Sequence, residues 1–496
     1  MIYIHSLGRA FWYYPQRAAL VVGGAAISFK ALHSRVRNVA AALVSYGFAA
    51  GDRLALLLPN SPEYIELVYA CSWLGVAAVP INARLSAAEI DGVLLDAKPR
   101  GLVRHSSLPN PKVHLPCQLV LDEQPLNIQN DSCPDPVYDP QAILALIYTS
   151  GTTGRPKGVT LTHANILANV DHLSYWMGYR EGGVYLHAAP IFHIADFPAM
   201  FAAPAFGARQ VTLPKFSAAG FCELVQHERV THTVLVPTML NLLTQMLEAK
   251  PYDLSSLEVL CYGGSPIAPE LVRRTRKFLP NVKLLQCYGL SETGFLTGLE
   301  DREHVEARLL SCGRPCPGID VRVEDETGKE VEVGQQGELV ARGPNVMRGY
   351  WNDPEDTALA FRNGMFRTGD VGYQDSDGYF YILDRLKDMI VTGGENVYSG
   401  EVEAVIYKHP AVREVAVFGI PDPQWGELVM ACVVLKPGMV LSENELSTHC
   451  RQFLANYKIP RRIEFSDTEL PKNGSRKILK KVLREDFWAH EERAVG

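Results

Sequence analysis

"RLALLLPNSPEYIELVYACSWLGVAAVPI", residues 53–81, contains a strand, a turn, a helix and a second strand in succession. The apolar run ends at Pro59-Asn60, and Ser61 is placed to cap a helix whose first turn accepts Pro62, because the N–H that proline lacks has no partner there. Gly75 can close the helix in a left-handed conformation before the strand "VAAV". This is a βαβ unit. Near-continuous apolar strands alternating with helices imply parallel sheets covered on both faces.

The same grammar recurs at residues 208–236, "ARQVTLPKFSAAGFCELVQHERVTHTVLV", and from "LEVLCYGGSP" to "YGLSETG" at 257–294. The fold class is therefore α/β, with a large N-terminal domain of βαβ subdomains. The Pro-rich piece from Pro109 to Pro140 reads as a connector. Beyond residue 315 the pattern changes to short alternating strands, "GIDVRVEDETGKEVEVGQQGELVARG", which predicts a small β subdomain. The last hundred or so residues predict a small α+β domain, with Ser442 and Glu445 forming a capping box. A hinge is placed near "DRLKD", giving an N-terminal domain over 1–384, a hinge at 385–388 and a mobile C-terminal domain over 389–496.

Composition narrows the function classes. The chain has 496 residues and a net charge of -7, and its Lys and Arg are scattered, so no basic stripe predicts nucleic-acid binding. No apolar stretch approaches the roughly 20 residues that span a bilayer, and the first residues lack a secretory signal's pattern. The expectation is a cytoplasmic protein. Ten cysteines without paired spacing predict buried free thiols, those of "SCGRPCPG" at 311–318 included.

Ligands of parallel sheets bind beyond the carboxyl ends of strands, and three glycine-bearing loops are placed there: "TSGTTGRPKG", "GGSP" and "YGLSETG". The first, within "YTSGTTGRPKG" at 148–158, gathers three threonines, a serine, three glycines and two cations. Its amides, hydroxyls and lysine suit the phosphates of a nucleotide triphosphate. It is not a Walker loop, since no Lys-Ser/Thr pair is present, and no G-x-G-x-x-G occurs.

These loops, with "RTGD" at 367–370, "DRLKDMIVTGGENVY" at 384–398 and "RKILKKVLRE" at 476–485, resemble in kind and order the adenylate-forming superfamily of acyl-CoA synthetases, peptide-synthetase adenylation domains and luciferases. The resemblance covers nearly the whole chain. It implies an ATP-dependent carboxylic acid:CoA ligase with Mg²⁺: an acyl-adenylate and pyrophosphate form first, then acyl-CoA and AMP. The carboxylate is itself the nucleophile, so positioning and charge neutralisation carry the first step.

Residue by residue, the resemblance implies that Thr149, Ser150, Gly151, Thr152, Thr153, Gly154 and Lys157 hold the β and γ phosphates. Glu292 holds Mg²⁺, and Ser291, where most members have threonine, meets the α-phosphate beside Thr293. Tyr288 with Gly263 and Gly264 flanks adenine, while Asp370, assisted by Arg385, accepts the ribose hydroxyls. Lys477 bridges the attacking carboxylate and the α-phosphate, on a segment whose Ile478, Leu479, Val482 and Leu483 share a helical face. Lys387 is the hinge pivot, and Gly393, Gly394 and Trp425 line the pantetheine path of coenzyme A. Two departures stand out: Arg476 replaces a usual glycine, and Ser399 replaces a usual proline, which predicts a looser turn.

The acid is the least determined element. "PIFHIADFPAMFAAPAFGA", residues 190–208, resembles the acyl-pocket segment, with His193 at the gating position. If the segment is helical, His193 and Asp196 share a face, so Asp196 is expected either to orient His193 or to meet a polar group on the acid. Cys287, where many relatives have glycine, narrows the pocket floor. A medium-chain aliphatic or simple aromatic acid is expected. The alternatives are an enzyme that loads a carrier protein and a degenerate nucleotide-binding regulator. A homodimer is the candidate assembly.

Overall fold

The computed structural model describes residues 1–123, 133–150, 156–393, 395–472 and 478–488, with Ser150, Lys387 and Asp486 placed by backbone alone. The opening βαβ unit forms as its residues dictate. Strand Arg53–Leu57 pairs in parallel with Ala77–Pro80, and helix Pro62–Leu74 connects them. The Ser61 side chain accepts from the Tyr64 N–H at 3.2 Å, and Gly75 closes the helix at φ 69°. This helix is buried on every side from Tyr64 to Leu74, so even Glu66 lies inside. Arg35 grips it through Nε at 2.6 Å and Nη2 at 3.2 Å. Burial pushes the Glu66 carboxyl up and Arg35 draws it back.

Among the described residues the large domain carries two sheets. One has seven strands, running from Gly349–Tyr350 through the hairpin of Pro156–Thr162 and Ile143–Ser150 to a parallel run ending at Cys117–Val120. The other has fourteen strands. Its parallel centre comprises Arg209–Thr212, Val184–His187, His232–Leu235, Val259–Gly263 and Lys283–Leu290, in that spatial order. Alternation along these strands sends Tyr185, Val234, Cys261 and Cys287 to one core, and Leu186, Leu235, Leu260 and Leu284 to another. The first face lies against helices His163–Met177 and Ala199–Ala205.

The predicted β subdomain is real but continuous with this sheet: Ser311–Pro315 joins it to Phe380–Arg385, Met365–Gln374, Gly337–Arg342 and Asp320–Glu324 through antiparallel pairing. The connector also contains a parallel strand, Cys117–Val120. After Leu386–Asp388, a single 3₁₀ turn, a five-stranded sheet forms the small C-terminal domain, with helices Ser399–Ile406 and Glu443–Arg451 and the predicted Ser442–Glu445 box. No described helix is long and apolar enough to cross a membrane, and all ten cysteines are free.

Two expectations about this domain need correction. The terminal helix begins only at Lys480, because Ile478 forms a bridge with Lys472, and Val482 is solvent-exposed while Ile478, Leu483 and Phe487 pack inward. Ser399 does not loosen its turn. It is fully buried, and both its N–H and its hydroxyl donate to Asp384 Oδ2, at 2.5 and 2.6 Å, while Lys480 donates to its Oγ.

Candidate nucleotide and acid site

Two walls of polar side chains meet where the fourteen-stranded sheet passes from parallel to antiparallel pairing. Asp370 and Arg385 stand opposite each other in the register of strands Met365–Gln374 and Phe380–Arg385. Arg385 Nε donates to Asp370 Oδ1 at 2.8 Å, and Tyr288 Oη donates to Oδ2 at 2.7 Å. Asp370 is only 3% exposed, so these two donors hold a buried carboxylate. Asp370 raises the Arg385 guanidinium against the opposing effect of burial, with Tyr288 and Glu292 adding to it. Burial first, then Asp370, push the Tyr288 phenol well above its ordinary value, which keeps it a donor. Each carboxylate oxygen retains a second lone pair for an incoming hydroxyl.

The second wall belongs to the seven-stranded sheet. In its hairpin Thr149 faces Lys157 and Tyr148 faces Gly158. Lys157 is ion-paired with Asp356 and lies 5.2 Å from the ring centre of Tyr350. Tyr350 reaches the other way and donates to Glu292 Oε1 at 2.9 Å, so one phenol joins the hairpin lysine to the carboxylate of "YGLSETG". Burial, followed by Glu292, raises that phenol. The Glu292 carbonyl accepts from Met347 N–H at 2.7 Å, fixing the loop's backbone. Tyr350 and Asp356 were not among the sequence candidates. They lie almost two hundred residues beyond Lys157, and only the pairing of Gly349–Tyr350 with Pro156–Thr162 brings them in.

The structure therefore brings together Thr149, Lys157, Tyr288, Glu292, Asp370 and Arg385, with Ser291 half-buried beside them. Thr293 is fully buried; its hydroxyl accepts from Leu290 N–H and donates to the Gly294 carbonyl, so it shapes the loop from beneath rather than facing a ligand. Gly151, Thr152, Thr153, Gly154, Gly394, Arg476 and Lys477 lie outside the described residues. Gly263 is required by close packing, since a Cβ there would stand 2.0 Å from the Cys287 carbonyl oxygen, whereas Gly264 at φ 80° faces open space apart from Val236. In the small domain Gly393, at φ 59°, lies under Trp425: its N–H donates to the Trp425 carbonyl at 2.8 Å, and Arg461 covers the indole at 4.5 Å.

The acid-pocket expectation is partly overturned. Residues 190–198 form successive turns, and the helix begins at Ala199, so the shared helical face of His193 and Asp196 does not exist. Asp196 is fully buried and turned away: Tyr185 Oη donates to its Oδ1 at 2.5 Å, and His187 Nδ1 lies 2.6 Å from its Oδ2. Its carboxylate is held by Tyr185 and His187 rather than by His193. His193 Nε2 is sealed from solvent without a hydrogen-bond partner among the described residues, and burial, with Arg84 adding, pushes this imidazole down to about 4. Cys287 stands opposite Gly263 in the register, on the same face as Cys261, with its Sγ 3.3 Å from Cys261 Sγ.

A buried carboxylate held by an arginine and a tyrosine, and a lysine and glutamate joined through a second tyrosine, stand on an α/β scaffold of the kind that binds nucleotides. The chain matches the family described as "AMP-binding enzyme" over residues 9–351 and "AMP-binding enzyme C-terminal domain" over residues 401–477. It belongs to this AMP-binding enzyme family. It is 38% identical over 477 residues to a feruloyl-CoA synthase of Amycolatopsis, covering 95% of this chain and 96% of the relative. It is also 36% identical to a fatty acid–[acyl-carrier-protein] ligase of Streptomyces coeruleorubidus, covering 97% and 96%. Among solved structures it resembles the o-succinylbenzoate CoA synthetase of Bacillus subtilis in complex with its acyl-adenylate intermediate. The TM-score is 0.87, the identity 32%, and the match covers 99% and 98% of the two chains.

Proposed function

We propose that this chain is an ATP-dependent, AMP-forming acid:CoA ligase whose preferred acid carries a single aromatic ring. The observation that carries the ligase reading is the pair of walls: Asp370 with Arg385 and Tyr288 on one side, and Glu292 with Tyr350 and Lys157 on the other. The aromatic reading rests on the feruloyl-CoA synthase relative and on the small, partly polar side chains of the acid face.

In this reading Asp370 accepts the ribose hydroxyls and Tyr288 borders the adenine. Lys157 leaves Asp356 for the β and γ phosphates, where a mobile cation beside backbone amides neutralises their charge. Glu292 fits Mg²⁺, which takes one or two carboxylates and completes its shell with phosphate oxygens and water; no three-ligand cluster is present among the described residues. The bound ion offsets negative charge on the phosphates. His193, uncharged above about pH 4, serves as the gate on the acid's path. A carboxylate oxygen attacks the α-phosphorus and pyrophosphate leaves; Lys477 carries the charge that builds on the oxygens of that centre. The coenzyme A thiolate then attacks the acyl carbonyl, and AMP leaves. Residues 385–388 act as the hinge between domains 1–384 and 389–496, and Gly393 with Trp425 borders the thiol's path.

The fatty acid–[acyl-carrier-protein] ligase relative supports a second reading, in which a carrier-protein thiol replaces coenzyme A. Acid-dependent ATP–pyrophosphate exchange, followed by AMP release with either coenzyme A or a phosphopantetheinylated carrier protein, tests both. Exchange without an acid requirement would overturn the ligase reading. AMP release with the carrier alone would favour the second.

A further inference from the structure

Asp196 is occupied by Tyr185 and His187, yet an uncommitted polar group remains in the same interior: the hydroxyl of Tyr179. Tyr179 follows helix His163–Met177 and its left-handed cap at Gly178. It is 6% exposed, and its Oη has no hydrogen-bond partner among the described residues. Buried hydroxyls are almost always paired, so an orphan of this kind calls for an explanation.

Its position supplies one. The neighbouring Arg180 pairs with Glu258, immediately before strand Val259–Gly263, so Tyr179 starts from the amino ends of the parallel strands. Its ring lies 5.3 Å from that of His232, the first residue of its strand, and 5.9 Å from that of Tyr185. Those two residues share one level in the register, and Val259 shares it too. Cys261 is one step higher on the same face and Cys287 a second step, at the level of Gly263, with about 7 Å between steps at two residues each. Cys287 is the residue that borders the mouth. The Tyr179 phenol is raised by burial first and then by Asp196, Cys261 and Cys287, which keeps it protonated. Tyr179 thus stands at the floor of this face, beside Tyr185 and His232 and below the levels of Cys261 and Cys287.

Small thiols line the way between. Cys261 and Cys287 touch, and Cys316 accepts from Trp176 Nε1 at 3.4 Å on the adjacent wall. Cysteine behaves as a small hydrophobe. A flat ring entering past Cys287 would have apolar sulfur at its side and one hydroxyl ahead of it.

We infer that Tyr179 is a specificity-determining residue, whose hydroxyl hydrogen-bonds a polar substituent on the far end of an aryl acid, a phenolic hydroxyl above all. This deepens the aromatic-acid reading and rests on it. A phenol can donate and accept, and so can its partner, so the pair satisfies both groups where water is absent. Sites built to hydrogen-bond a substrate hydroxyl discriminate against analogues that lack it, because the site's own group is then stranded.

The test is AMP release by the full chain with 4-hydroxycinnamic acid, cinnamic acid and decanoic acid, for the wild type, Tyr179→Phe and Tyr185→Phe. The wild type should favour 4-hydroxycinnamic over cinnamic acid by about 10-fold or more in kcat/KM, a factor set by one buried hydrogen bond. Tyr179→Phe should bring that ratio close to one, mainly through KM for the hydroxylated acid. Tyr185→Phe, which removes only a contact to Asp196, should lower Tm and preserve the ratio. An unchanged ratio in Tyr179→Phe overturns the assignment and means that the hydroxyl is satisfied from within the protein. If the wild type uses both aryl acids equally, the aromatic reading stands and the Tyr179 assignment falls alone. Turnover of decanoic acid with neither aryl acid removes both.

Discussion

One of the proposed nucleotide walls shares the fourteen-stranded sheet with the proposed acid face and the other rises from the seven-stranded sheet, yet walls and face are built differently. The walls consist of charged residues that meet in complementary pairs: Asp370 with Arg385 and Tyr288, Glu292 with Tyr350, Lys157 with Asp356. The acid face consists of an aspartate sealed inside, three thiols and a tyrosine hydroxyl without a partner among the described residues. Work common to every substrate calls for fixed charge at fixed points. Discrimination between substrates calls for a floor whose last hydrogen bond is left for the ligand.

The largest effect expected falls on the first half-reaction. Lys477→Ala should lower acid-dependent ATP–pyrophosphate exchange by a factor of about 10³, comparable with loss of a principal transition-state donor. Thioester formation from supplied acyl-adenylate should persist. Equal loss of both steps would mean that Lys477 serves the fold or the thiol instead. Next in size is Asp370→Asn, which keeps the shape but removes the charge that Arg385 pairs with. It should weaken ATP by roughly 10²-fold in KM, with a smaller effect on KM for the acid. A change confined to the acid would erase the distinction between walls and face.

Much of this was legible in the chain, and the limits have physical causes. Ser61, Pro62 and Gly75 act locally, so the βαβ unit and its helix ends follow from residues within one turn of each other. The Asp370–Arg385 pair was legible because two motifs had fixed places in an ordered set. Tyr350 and Asp356 were not, since strand pairing across nearly two hundred residues recruits them. Residues 190–198 misled because an apolar run can pack as turns as well as a helix, and Pro198 removes an N–H that a continuous helix would need. Asp196 then found partners on strand Val184–His187 rather than along its own segment. Ser399 could be judged only once Asp384 and Lys480 were seen around it.

That correction yields a third outcome. Asp196→Ala strands the Tyr185 hydroxyl and the His187 ring in a dry interior, and should cost about 3 kcal/mol of stability, the scale for leaving buried hydrogen-bonding groups unpaired. Chemical denaturation would measure it. The kcat/KM ratio of hydroxylated to plain aryl acids should stay as it is, since both Asp196 oxygens are engaged within the protein; a shifted ratio would return Asp196 to the pocket.

The smallest expected effect concerns pH, and it concerns the fold around both regions. Burial lowers His163 to about 3 and both His193 and His232 to about 4, from an ordinary value of 6.5. Their geometry agrees with uncharged rings: His163 Nδ1 accepts from Ile2 N–H, and His232 Nδ1 lies 2.6 Å from Thr231 Oγ1. In the unfolded chain these rings take up protons near pH 6.5, whereas the folded chain takes them up only two or more pH units lower. Between those values the unfolded state binds more protons, so stability rises with pH. The contribution is complete above about pH 6.5 and is lost progressively as pH falls toward 4. Tm should therefore drop by several degrees between pH 7 and pH 5 at constant ionic strength, and His232→Gln should flatten part of that slope. A Tm that holds steady or rises over this interval would mean that the three rings are charged in the folded protein, and His193 could then no longer stand as an uncharged gate between nucleotide and acid.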